Sequence, residues 1–119
     1  MDVYVFVYKV IPTKGSAEYG KVGGASADVW VLESNREQAE IKAKSYIIDL
    51  RWDILELKRE LVLNDKQILR YREDAQANYY QAKKNGISAF FAAFPPEDRE
   101  DGVVEIWSLD KPQINKTKH

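Results

Sequence analysis

The chain contains no cysteine, and its one histidine is the C-terminal His119. The first absence excludes disulfides, thiolate nucleophiles and cysteine-held zinc. The second leaves histidine base catalysis and histidine-ligated metal centres without residues, since a terminal side chain belongs to a frayed end. Neither sign of charge is in excess: 18 Lys and Arg stand against 19 Asp and Glu, for a formal net charge of −1. That balance gives no electrostatic reason to expect nucleic acid or an anionic membrane as partner. No apolar stretch approaches the roughly 20 residues needed to span a bilayer. Met1-Asp2-Val3 carries no basic region, and no small-residue cleavage site follows the short apolar run, so a cytoplasmic protein is expected. No repeat, metal motif or cofactor motif is found, and no cofactor is expected.

What is present is ordinary for a folded domain: 45% hydrophobic and 31% charged residues in a chain of 119. A single domain over residues 1–110 is expected, with residues 111–119 as a polar, basic, disordered tail. The chain is organised around Asp28–Leu63, which reads strand, helix, strand. Ser34-Asn35-Arg36-Glu37 fits a capping box with Ser34 as N-cap. Ala39, Ala43, Ile47 and Leu50 then fall on one helical face. Arg36–Glu40 and Glu40–Lys44 form i,i+4 pairs on the wet side.

Asp53–Leu63 satisfies two periods. As a strand it puts Leu55, Leu57, Leu61 and Leu63 on one face; as a helix it continues Ile47, Leu50, Ile54, Leu57 and Leu61. A single helix from Arg36 to Leu63 would span roughly 42 Å at 1.5 Å per residue, long for a domain of this size, so the strand is preferred.

Ala39, Ala43, Tyr46-Ile47, Trp52, Ile54 and Leu57 resemble a pattern in small uncharacterised bacterial α+β proteins. There a helix runs through a bulky aliphatic end into a tryptophan and then a strand. The loop Glu18-Tyr19-Gly20-Lys21-Val22-Gly23-Gly24 and the segment Gly86–Pro95 fit the same likeness. These motifs are structural. The resemblance implies the strand after Trp52 and carries no activity.

Elsewhere, Val3–Ile11 alternates Val3, Val5 and Val7 with Tyr4, Phe6 and Tyr8, a strand apolar on both faces and therefore central. Pro12 is expected to end it. Gly15–Lys21 matches the spacing of a phosphate-binding loop as far as its lysine. Val22 stands where a Mg²⁺-holding Ser or Thr belongs, and glycines follow instead of a helix. Thr13–Ser26 is therefore read as a hairpin loop, with Glu18, Tyr19 and Lys21 as the side chains it could present for function. The next strand sets Val29 and Val31 against Asp28, Trp30 and Leu32.

Asn64-Asp65-Lys66-Gln67 caps a second helix, predicted to run to Asn85 with Ile68, Tyr71, Ala75, Tyr79 and Ala82 on one face. Gly86 follows as its terminator. Tyr79-Tyr80 reads as one core and one rim residue. Ile87–Phe94 and Val103–Leu109 are the last strands. Between them Glu97–Gly102 fails as a calcium loop, because Arg99 and Ser108 fall where oxygen donors are required.

The expected architecture is thus α+β, a two-layer ferredoxin-like sandwich in the order β-β-α-β-α-β-β, with a mixed sheet and two helices on one face. Val3, Val5 and Val7 are expected to meet the helices. Tyr4, Phe6 and Tyr8 would then lie on the bare face with Trp30, Phe90 and Trp107. Two functions follow from that aromatic face. One is a non-catalytic binding or assembly domain that homodimerises through it or meets a protein partner there. The other is a small-molecule-binding protein or enzyme with an aromatic-walled pocket, its polar groups drawn from Asp28, Glu33, Glu18 or a tyrosine. No pair of carboxylates is spaced for acid–base work, and no catalytic residue is assigned.

Overall fold

The computed structural model describes residues 1–95 in full and residues 105–107 and 114–116 by their backbone. The elements are β1 (Asp2–Pro12), β2 (Gly24–Glu33), α1 (Arg36–Asp49), β3 (Trp52–Leu63), α2 (Asp65–Ile68), α3 (Glu73–Asn85), β4 (Ile87–Phe94), β5 (Glu105–Trp107) and β6 (Ile114–Lys116). The chain is α+β, as expected, and Asp53–Leu63 is extended. Four strands form one sheet in the order β3-β1-β2-β4, and β5 pairs with β6 in a separate ribbon. β6 falls within the stretch read as a disordered tail. The acidic loop Glu97–Gly102 and the rest of the tail lie outside the described residues.

The ferredoxin-like arrangement does not match. β1 does lie between β2 and β3, but every hydrogen-bonded pair is antiparallel, so the sheet is not mixed. Nor do the helices share a face. In an antiparallel pair, directly opposed residues point the same way. Tyr4, Phe6, Tyr8 and Val10 therefore share a face with their partners Val31, Val29, Ala27 and Ala25. This face packs on Ala39, Ala43 and Ile47 of α1. The other face, with Val3, Val5, Trp30 and Leu63, packs on Ile68 of α2 and on Tyr79 and Ala82 of α3. The fold has three layers.

Complementary volume explains which face took which helix. Phe6, Tyr8 and Phe91 fill the space under a helix whose contact stripe is largely alanine, while the smaller Val3 and Val5 leave room for Tyr79 and Ile68. Connectivity agrees. The segment β3–α3–β4 crosses from one sheet edge to the other, and α1 already occupies the first face.

Several local readings hold and several shift by a residue or two. Arg36–Glu40 and Glu40–Lys44 close at 3.1 and 3.5 Å. Arg36 also grips Glu60 of β3 through Nε and Nη2, both at 2.6 Å, and so fastens α1 to the edge strand. The N-cap is Asn35, not Ser34: Asn35 Oδ1 accepts from the Gln38 amide at 2.9 Å, while the Ser34 amide donates to Glu33. Leu50 is exposed as the C-cap rather than buried. Arg51 follows it with φ of 69°, the left-handed geometry that normally selects glycine. Pro12 is the last residue of β1 rather than the first beyond it. β2 begins at Gly24, four residues before the expected Asp28, because Ala25 and Ala27 pair with Val10 and Tyr8. A Cβ on Gly24 would stand 2.9 Å from the Val10 carbonyl oxygen, so glycine lets the two strands close.

The predicted second helix is broken in two. Asn64 and Gln67 form the expected capping box, but α2 stops at Ile68, and Tyr71 lies exposed in the break. The fold-back lets the Tyr79 hydroxyl donate to Asp65 Oδ1 at 2.6 Å. In one straight helix those residues would be roughly 21 Å apart along the axis. Gly86 ends α3 at φ 90°, as expected, and Tyr79 is core while Tyr80 is 48% exposed.

β3 departs from simple alternation. Its register against β1 shifts twice, leaving Lys58 and Leu55 as extra residues. The bulges turn Ile54 towards the α1 core and leave Leu61 and Leu63 on the α3 side, so the four leucines do not share a face. Bulges and charged side chains are also how an edge strand resists pairing with a second chain.

Candidate functional site: the open half of the second sheet face

The residues proposed to form one aromatic surface are dispersed. Phe6 and Tyr8 are buried beneath α1, stacked at 6.0 Å between ring centroids, and Tyr4 packs against the same core. Trp30 is opposite Val5, on the other face, and is buried beneath α3. Phe90 shares that second face but lies past the reach of the helix. Trp107 is in β5, and its side chain lies outside the described residues. A bare Tyr4–Phe6–Tyr8 surface therefore does not exist.

The loop candidates form a tight turn. Ser16 Oγ accepts from the Glu18 amide, the Glu18 carbonyl accepts from Lys21 and Val22, and Gly20 adopts φ of 83°. Tyr19 and Lys21 are exposed and Glu18 is half-buried. No helix follows Lys21, so the phosphate-loop geometry is missing.

Among the described residues, the other half of the second face is the part that no helix covers. Across β4, β2, β1 and β3 the register lays out two successive rows: Phe90, Asp28, Val7 and Arg59, then Ala92, Ser26, Lys9 and Glu56. Opposed side chains in such rows stand ~5 Å apart and diagonal ones ~7 Å. The buried cluster under α2 and α3 includes none of these residues. Val7, Ser26, Asp28, Phe90 and Ala92 are half-buried, whereas Lys9, Glu56 and Arg59 are exposed.

Asp28 is the central feature. It stands between Val7 and Phe90, and its side chain has neither a hydrogen bond nor an ion pair among the described residues. Burial pushes its carboxyl up from 3.8 to about 6, with the Arg59 charge on the far side of Val7 offsetting part of that rise. Such a group exchanges a proton near neutrality and offers both a donor and an acceptor form. Below it the face runs into a cleft of about 550 Å³.

Sequence reasoning named Asp28 and Phe90 but not Lys9, Ser26, Arg59 or Phe94. The signal for Asp28 was a carboxylate inside an otherwise apolar central strand. No such signal marked the others, which join it only through strand pairing. No group of three or more acidic or histidine residues suited to a metal occurs among the described residues, and no helix among them is long and apolar enough to cross a membrane. No family model matches the chain, and no match was found among curated proteins or solved structures.

Proposed function

We propose that this chain is a binding domain that holds a small molecule on the open half of its second sheet face. The observation that carries the reading is the placement of Asp28. A half-buried carboxylate without a partner among the described residues is framed by Val7 and Phe90 on a sheet surface that the helices leave uncovered. The cleft that adjoins this row, lined by Lys9, Ser26 and Phe94 among others, gives a small ligand a concave place to sit, and an unpaired, partly desolvated carboxylate is costly unless something uses it. Homodimerisation through Tyr4, Phe6 and Tyr8 loses its ground, because α1 occupies that face. The bulges and charges of β3 oppose pairing through the sheet edge as well.

A fragment screen followed by backbone amide shifts tests this. Binders should perturb the amides of Val7, Asp28 and Phe90 together, and Phe90→Ala should weaken them while leaving the circular dichroism spectrum unchanged. Hits that map only to the α1 side, or none from a diverse library, would refute the proposal.

A further inference from the structure

The cleft at the far end of the open face differs in character from the Asp28 row. Among the described residues, Lys9 and Lys58 are the only charged ones that line it. They come from neighbouring strands, and Lys58 reaches the cleft because it is the extra residue of a bulge. Neither lysine is in an ion pair among the described residues, although Glu56 is directly opposite Lys9. Ser26, opposite Lys9 on the other side, adds a hydroxyl. Phe94, 39% exposed, and Pro95 supply an apolar wall. Gly24, directly opposite Phe94, lines the cleft without adding a side chain to it.

Two unpaired ammonium groups, a hydroxyl and an aromatic face define a complementary ligand. We infer that the cleft takes the anionic head of a small organic acid, a carboxylate or phosphate monoester, whose planar apolar body lies against Phe94. This deepens the proposed binding reading and rests on it. The bulge at Lys58 gains a role beyond protecting the sheet edge: it delivers a second cation to the site. Exposed lysines bind an anion through modest, salt-screened attraction, so the aromatic wall must contribute the remainder.

The test is a titration of the whole chain, followed by backbone amide shifts, with four probes of similar size: benzoate, phenyl phosphate, benzyl alcohol and benzylamine. Benzoate or phenyl phosphate should bind tightest, shift the amides of Gly23, Gly24 and Ser26, and weaken with added salt. Comparing those two separates carboxylate from phosphate recognition. Lys9→Gln with Lys58→Gln should cut anion affinity roughly fivefold or more while leaving benzyl alcohol unaffected. Equal binding of the neutral or cationic probe, or anion binding indifferent to both substitutions, would overturn the inference. Shifts at Val7, Asp28 and Phe90 in that case would keep the binding reading alive, whereas silence at both regions with every probe would sink the two together.

Discussion

Replacing Asp28 with asparagine should make the protein more stable, and by an amount that depends on pH. In the folded chain the carboxyl titrates at about 6 instead of 3.8, mainly because burial disfavours its charge. A tenfold change in proton affinity corresponds to about 1.4 kcal/mol, so ionising Asp28 in the fold costs about 2–3 kcal/mol relative to the unfolded chain. The folded state binds more protons than the unfolded state between those two values, so this contribution to stability falls as pH rises. The cost is absent below about pH 4, grows through about pH 6 and is constant above.

Asparagine has nearly the same shape and no charge to desolvate. Urea unfolding of both proteins from about pH 4 to about pH 7 gives a difference curve. In it the depressed carboxyls of Glu33, Glu60 and Asp65, common to both proteins, cancel. Asp28→Asn should match the parent at the acid end and exceed it by about 2–3 kcal/mol at neutral pH. A difference that does not change with pH, or an asparagine variant less stable at neutrality, would refute the reasoning. It would mean that Asp28 is satisfied in the fold and not held for a ligand. A residue that destabilises its own fold is the kind retained for function.

Arg51→Gly should raise stability by about 0.5–1 kcal/mol, since glycine tolerates the left-handed φ of 69° while arginine is strained there; a lower thermal midpoint would show that the side chain matters more than the backbone. Tyr8→Phe should be neutral or stabilising by about 1 kcal/mol, because its buried hydroxyl has no hydrogen-bond partner among the described residues to lose. A loss of more than ~1 kcal/mol on calorimetry would instead imply a bridging water.

Local chemistry was legible in the sequence because it acts between residues a few positions apart. The alanine stripe of α1, the asparagine–glutamine box at Asn64, Gly86 at the helix end and the apolar alternation that made β1 central all appear in the fold. Where local signals tied, distant ones decided. Ser34 and Asn35 were both acceptable caps, and Asn35 took the role while Ser34 turned to Glu33. The helix after Asn64 showed no glycine or proline at which to break; it broke in the fold that brings Tyr79 to Asp65.

By itself, then, the sequence determined the types of the elements from β1 to β4, apart from the break in the second helix, and excluded cysteine chemistry. Only the tertiary structure decided which way Tyr4, Phe6 and Tyr8 point, because that depends on the volume of the helix each face receives. The same is true of the candidate site. Lys9, Ser26, Asp28, Lys58 and Phe94 come from four strands, and the strand register with the β3 bulge at Lys58 sets their meeting. Strand register is a property of pairs of segments, and no single segment encodes it.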